Sequence, residues 1–276
     1  MFNKANHIRE QYLEMSMYPS IFCSGCGVGN VLNYSLRAID AEHMDLDEVV
    51  FVSGIGCSSR MPGYIDADGL HTTHGRAIAF ATGVKTADPN LNVVIFTGDG
   101  DAAGIGGNHL IHAARRNVDL TVVCINNFIY GMTGGQVSPT TPVSSKTSTT
   151  PYGNVEQPFD LCSLVIGAGA SYVSRWTLGY PYETIKAIRD GIRNKGFSFI
   201  EMLVPCPTGY TKRQKIPDGR ETWDWYKEST ILRSQYMKLP KAERAKETRI
   251  VIGKLRDNPR PEFCETYSEL VERVKP

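Results

Sequence analysis

An α/β fold built on a doubly wound parallel sheet is predicted by three features of the chain. Short β-branched runs alternate with helix-length amphipathic segments. The runs are apolar without a polar alternation, the pattern of strands covered on both faces. Two of them, VVIF (93–96) and LTVVCI (120–125), end in loops rich in glycine or asparagine. A strand, a crossover helix and a second parallel strand place both loops at one edge of the sheet, where open α/β folds bind ligands.

The elements follow in order. A glycine-bearing turn at Cys23–Cys26 precedes a helix pattern, VLNYSLRAI (31–39), and the strand VVFVS (49–53) comes next. RAIAFATGVKTA (76–87) reads as a helix, VVIFT (93–97) as a strand, GGNHLIHAARR (106–116) as a helix and LTVVCI (120–125) as a strand. The stretch 137–154, VSPTTPVSSKTSTTPYGN, is polar and proline-bearing, and it predicts a long loop that is mobile or covered by a partner. ASYV (170–173), YETIKAIRDGIRN (182–194) and FSFIEML (197–203) resume the alternation. Beyond about residue 205 the alternation fades into a Lys/Arg-rich tail. Two units are therefore expected: 1–204 as the α/β domain, and 205–276 as an extension packed on that domain and on a partner subunit, or else solvated and helical.

Composition narrows the class. The chain has 276 residues, 41% of them hydrophobic, and a net charge of +1, so no nucleic-acid footprint is visible. No apolar run approaches the ~20 residues of a membrane span. The first nineteen residues lack the apolar core of a secretory signal. Seven cysteines, an odd number that includes a Cys-x-x-Cys, fit reduced thiols in a cytoplasmic protein better than a disulfide framework.

The densest chemistry lies in GDGDAAGIGGNH (98–109) and in Asn126-Asn127. Gly98-x-Gly100-x-x-Ala103 also fits a loose dinucleotide fingerprint. Its acids argue against that use, because two like charges ~4 Å apart repel by roughly 4 kcal/mol at an intermediate dielectric. A divalent cation between Asp99 and a diphosphate removes the objection, and Asp99 with Asn127 supplies oxygen ligands of the kind that hold Mg²⁺. Cys23 and Cys26 sit before a helix start, while Cys57 and Cys206 follow strands in GIGCSSR and LVPCPTG. Four such thiolates hold either tetrahedral zinc or an iron–sulfur cluster, and the absence of a second Cys-x-x-Cys weakens a zinc ribbon. Cys124 and Cys162 read as small core residues. Cys264 reads as a surface or tail residue, the substitute ligand should Cys206 not serve.

GDG followed 25 to 30 residues later by NN resembles the motif of thiamine diphosphate enzymes. SGIGCSSR (53–60), HTTHGRA (71–77), GGNHLIHAARRN (106–117) and NNFIYGMTGGQVSPTTP (126–142) resemble the β subunit of 2-oxoacid:ferredoxin oxidoreductases, most closely the 2-oxoglutarate branch. The resemblance spans roughly residues 15–235. It implies a thiamine diphosphate-binding fold in which Asp99, Asn127 and the Ile129 carbonyl hold Mg²⁺. Ile55, Gly56, Cys57, Ser58, His74, Gly100, Asp101, Gly131 and Met132 would then line the cofactor. It also implies a [4Fe–4S] cluster on Cys23, Cys26, Cys57 and Cys206, so that the Cys57 loop touches both centres. Arg76, Thr133 and Gln136 are weaker candidates for contacts to phosphate or substrate.

The implied activity is coenzyme A-dependent oxidative decarboxylation of 2-oxoglutarate to succinyl-CoA, with electrons leaving for ferredoxin. A larger α subunit would carry the pyrimidine site and its activating glutamate, in a hetero-oligomer such as (αβ)₂, with further γ and δ subunits in some members. Met132 stands where the pyruvate branch typically has asparagine, which favours 2-oxoglutarate over a pyruvate or broad-range enzyme. A non-redox thiamine diphosphate decarboxylase or synthase would use Asp99 and Asn127 but leave the cysteines without a common task.

Overall fold

The computed structural model describes residues 10–216 and 219–275. The first nine residues of the N-terminal stretch considered for a secretory signal, and Pro217, Asp218 and Pro276 of the tail, lie outside the described residues.

In chain order the elements are α1 (Val28–Ala41), β1 (Val49–Ser53), β2 (Gly69–His71), α2 (Ala77–Ala87), β3 (Asn92–Gly98), α3 (Gly107–Arg116), β4 (Thr121–Asn126), β5 (Ile129–Tyr130) and β6 (Gln136–Val137). After these come α4 (Leu161–Ala168), β7 (Tyr172–Thr177), α5 (Pro181–Arg193), β8 (Ser198–Leu203) and α6 (Arg220–Glu228). The chain closes with β9 (Thr230–Leu232), α7 (Arg233–Tyr236), α8 (Lys241–Arg244), β10 (Ile250–Asp257) and α9 (Phe263–Val274). An eight-stranded sheet runs β2-β1-β3-β4-β8-β7-β10-β9, parallel throughout except where β10 meets β7.

The period-2 geometry of β4 shows why its sequence is apolar at every position. Val122 and Cys124 join the core under α3 and α4, while Val123 and Ile125 join the core under α1 and α5. Phe51 on β1 and Phe96 on β3 stack on the α1 side, with ring centroids 5.8 Å apart. Burying each such side chain is worth roughly 1.5–3 kcal/mol, so a one-residue slip of any central strand would be strongly resisted. Helix ends are set by local chemistry: Asp160 caps α4 by accepting from the Ser163 amide at 3.1 Å, and α4 stops at Gly169, which adopts φ +106°.

The tail departs from the helical extension expected of it. β10 extends the sheet by pairing antiparallel with β7, and β9 then pairs parallel with β10. Thr230–Leu232 is too short to announce a strand in isolation, and Ile250–Asp257 carries Lys254, Arg256 and Asp257 among its apolar residues; the open edge of β7 supplies the partner. Among the described residues, no helix is long and apolar enough to cross a membrane.

From β1 the chain goes outward to β2, then crosses back to β3 on the other side of β1. The strand order therefore reverses between β1 and β3, the crevice at which open α/β sheets bind ligands.

Candidate functional site

A cavity of about 290 Å³ opens at that crevice, walled by the loops that leave β1, β2, β3 and β4. Ile55, Gly56, Cys57 and Ser58 come from the first loop, His74 from the second, Asp99, Gly100 and Asp101 from the third, and Asn127, Ile129, Gly131 and Met132 from the fourth. Each residue expected to line a cofactor thus lies on one wall or another of a single cavity.

Asp99 is 2% exposed, and its Oδ2 accepts hydrogen bonds from Ser138 Oγ and Thr140 Oγ1, each at 2.6 Å. Burial pushes its carboxyl up to about 6, against the pull of the two hydroxyls and of the Asn127 main-chain amide. A buried carboxylate with a raised affinity for protons is one that a divalent cation stabilises. Asn127 follows directly: its amide donates to Asp99, and its own Oδ1 accepts from the Ile129 amide at 3.3 Å, leaving a second lone pair on that oxygen. Between them Phe128 adopts φ +62°, a left-handed conformation that costs a non-glycine residue about 1–3 kcal/mol. This turn lets consecutive residues address one side of the loop. The donor set of carboxylate, amide oxygen and main-chain carbonyl is hard and oxygen-only, and it fits Mg²⁺.

Asp101 occupies itself differently. Its Oδ1 accepts from the amides of Gly75 at 2.7 Å and Ile55 at 3.2 Å, Oδ2 accepts from Thr97 Oγ1 at 2.8 Å, and His74 Nδ1 lies 2.7 Å from Oδ1. One carboxylate therefore ties the loops after β1, β2 and β3 together, with His74 beside it at the cavity. Arg76 Nη1 donates to the carbonyls of Gly75 and Ile105, a structural engagement. Thr133 and Gln136 bond to each other at 2.6 Å in the β5–β6 hairpin.

The four candidate cluster cysteines gather from three parts of the chain. The Cys23–Cys26 turn closes through a Cys26 amide bond to the Cys23 carbonyl, and the Gly27 amide fastens it to the Pro205 carbonyl beside Cys206. Burial pushes the Cys26 thiol up to about 11 against the pull of the Val28 amide, and the neighbouring thiols of Cys206, Cys57 and Cys23 push it the same way. Burial also raises the Cys57 thiol, again with Cys206 and Cys23 nearby. Cys26 and Cys57 therefore both have Cys23 and Cys206 as neighbours, so the four sulfurs lie in one region of the fold. Among the described residues no three His, Cys, Asp or Glu side chains are placed to hold one metal ion. Gly131 stands between these cysteines and Asn127: a Cβ there would lie 3.3 Å from Cys206 Sγ, 3.8 Å from Asn127 Nδ2 and 3.9 Å from Cys57 Sγ.

The other cysteines lie apart. Cys124 and Cys162 are 0% and 1% exposed in the sheet–helix core. Cys264, expected at the surface, is also buried; its thiol donates to the Lys85 carbonyl because α9 turns back over α2.

Sequence reasoning missed Ser138 and Thr140. Both fall in the stretch read as mobile or partner-covered, yet that loop is held by its own chemistry: Thr141 Oγ1 donates to the Phe128 carbonyl at 2.6 Å, and Asn154 Nδ2 donates to the Thr141 carbonyl at 2.8 Å. The only signal available was the clustering of hydroxyls after the double asparagine.

Residues 54–202 match the family model of the thiamine pyrophosphate enzyme C-terminal TPP binding domain. The chain is 53% identical over 262 residues to 2-oxoglutarate synthase subunit KorB of Methanothermobacter marburgensis, covering 95% of this chain and 91% of that protein. It is 49% identical over 269 residues to the subunit of the same name from Methanocaldococcus jannaschii, covering 98% and 99%. Among solved structures it matches a 2-oxoglutarate:ferredoxin oxidoreductase from Magnetococcus marinus with 2-oxoglutarate, coenzyme A and succinyl-CoA bound. That match has a TM-score of 0.85 and 33% identity over 98% of this chain and 91% of that one. With the fold, the glycine–asparagine loops and these likenesses in agreement, the chain belongs to the β-subunit family of 2-oxoacid:ferredoxin oxidoreductases, in its 2-oxoglutarate synthase branch.

Proposed function

We propose that this β subunit works with a larger α subunit to convert 2-oxoglutarate and coenzyme A to succinyl-CoA and CO₂, passing the released electrons to ferredoxin. One observation carries the reading: the Asn127 side chain and the sulfurs of Cys206 and Cys57 all come within 4 Å of where a Cβ on Gly131 would lie. A cofactor anchored at Asn127 is then a neighbour of a redox centre on those sulfurs.

In this reading Asp99, the Asn127 amide oxygen and the Ile129 carbonyl hold Mg²⁺ against the diphosphate. Ile55, Gly56, Ser58, Gly100 and Met132 line its path, and Asp101 holds His74 toward it. Cys23, Cys26, Cys57 and Cys206 would hold a [4Fe–4S] cluster, a centre whose ligands are cysteine thiolates. Bound thiamine diphosphate supplies the electron sink for decarboxylation, and the cluster accepts electrons singly. The chain itself fixes the diphosphate end, excludes water with the buried loop at 138–141, and leaves the mouth of the cavity lined by exposed Ile55 and Met132 for the α subunit to cover. Residues 205–276 form the extension that reaches a neighbouring subunit, and the cytoplasm is the compartment that keeps such thiols reduced.

The test is anaerobic copurification with the α subunit. Adding 2-oxoglutarate and coenzyme A is expected to bleach the cluster's visible absorption, with turnover favouring 2-oxoglutarate over pyruvate and branched-chain oxoacids. Turnover by the isolated chain, or pyruvate as the clear favourite, would overturn it.

A further inference from the structure

We propose that Asn126, the first asparagine of the pair, is a positioning residue that holds the left-handed turn at Phe128 and so aims both flanking metal ligands, with Glu201 as its anchor. The inference rests on the reading that Asp99, Asn127 and Ile129 bind the cation.

Phe128 adopts φ +62° although it has a bulky side chain, so its backbone must be held from outside. Two side chains do this. Asn126 Oδ1 accepts from the Phe128 amide at 3.0 Å, and Thr141 Oγ1 donates to the Phe128 carbonyl at 2.6 Å. The Phe128 ring, 5% exposed, tilts against Tyr210 with centroids 5.4 Å apart, so it is fixed at the side-chain end too. The residues on either side of this pinned peptide are Asn127 and Ile129.

Asn126 is itself held. Its Nδ2 donates to Glu201 Oε1 at 2.7 Å, and Thr140 Oγ1 lies 3.0 Å from its Oδ1 while donating to Asp99. Glu201, 2% exposed on β8, accepts at Oε2 from Arg175 Nε at 2.6 Å and from the Cys162 thiol at 3.2 Å. Arg175 reaches on to Asp160. The amide orientation of Asn126 is thereby dictated: its NH₂ must face the carboxylate, which leaves its oxygen for Phe128 and Thr140. One buried acid behind the sheet thus orders the first asparagine, the turn it holds and a hydroxyl on Asp99.

The test uses the αβ complex, with Mn²⁺ in place of Mg²⁺ and the bound ion counted by electron paramagnetic resonance in the presence of thiamine diphosphate. Asn126→Ala and Thr141→Val are each expected to weaken Mn²⁺ binding by about 10- to 100-fold, the range found for partners that orient metal ligands. The kcat at saturating metal should fall far less than the affinity. Asn126→Asp sets two carboxylates against each other and should weaken binding as well; adding Glu201→Gln exchanges donor for acceptor and should recover at least a tenfold part of the loss. Folded Asn126→Ala and Thr141→Val variants that bind Mn²⁺ like the wild type overturn the proposal, as does a failure of the exchanged pair to recover. Asp99→Asn separates the two readings: undiminished binding there sinks the metal assignment itself, whereas loss there with intact Thr141→Val binding sinks only the positioning role.

Discussion

Gly100 and Tyr130 pack so closely that a Cβ on the glycine would sit 2.1 Å from the tyrosine ring, while the Tyr130 hydroxyl donates to the Gly100 carbonyl at 3.2 Å. The glycine is therefore required by a close approach across the cavity floor, where the loop after β3 meets the hairpin after β4. Gly100→Ala must displace either the ring or the Asp99 loop, an overpacking strain of about 1–3 kcal/mol. We expect it to lower thiamine diphosphate affinity in the αβ complex by at least tenfold, measured by titration calorimetry. Gly100→Ala combined with Tyr130→Ala removes the collision and should bind more tightly than Gly100→Ala alone.

The cysteines divide into two groups with opposite expectations. Cys206→Ser removes a thiolate from the gathered four and should abolish iron and acid-labile sulfide in the anaerobically purified complex. Cys124→Ser and Cys162→Ser place a hydroxyl in the core, at a destabilising cost of about 1–3 kcal/mol if it finds no partner, yet should retain the full iron content. Cys264→Ser should also retain it, because that thiol faces the Lys85 carbonyl and not the cavity. Iron lost from Cys264→Ser and kept in Cys206→Ser would reverse the assignment.

Much of the central sheet was legible because a strand buried on both faces must be apolar at every position. VVFVS is β1 residue for residue, and the asparagine and glycine loops fall at the strand ends as parallel crossovers require. Three things were not legible. Phe128 in the left-handed region leaves no mark in its own identity; the structure enforces it through Asn126 and Thr141. Ser138 and Thr140 meet Asp99 across 39 and 41 residues, and no local pattern encodes that meeting. β10 and β9 find their place because β7 offers an open edge, which is a property of the assembled sheet and not of the three-residue β9 or the charge-bearing β10 alone.

A pH dependence follows from the contact between α1 and α5. Glu42, at the end of α1, accepts from the guanidiniums of Arg189 and Arg193 on α5. Burial alone would push its carboxyl up, but the two guanidiniums together hold it below the ordinary value of 4.5. A depressed folded-state value means that the stabilisation is complete above the unfolded value and is lost as pH falls through the folded one. Glu42→Gln should therefore lower Tm by a few degrees, corresponding to about 1 kcal/mol, at neutral pH. The gap to wild type should stay constant down to about pH 5 and close below it. A gap that widens on acidification would contradict the sign.

Asp99 offers the most direct test of the proposed cation site. Its Oδ2 accepts hydrogen bonds from both Ser138 and Thr140 at 2.6 Å, which fixes the carboxylate plane and leaves Oδ1 as the oxygen not engaged by those hydroxyls. Hydroxyl donors to a buried carboxylate are charge-assisted, so each one orients the group more than a neutral bond would. Ser138→Ala removes one of them without touching a metal ligand. It should weaken Mg²⁺ binding by about tenfold, toward the lower end of the range for orienting partners, while kcat at saturating Mg²⁺ stays within about twofold. Asp99→Asn keeps the shape but removes the charge, and should weaken Mg²⁺ binding by more than about 100-fold with no recovery at high metal. The two substitutions differ in kind, since one loosens the aim of an intact ligand and the other deletes its charge. A Ser138→Ala variant that cannot be restored by excess Mg²⁺ would mean that the serine contacts the reacting groups and does not merely hold Asp99.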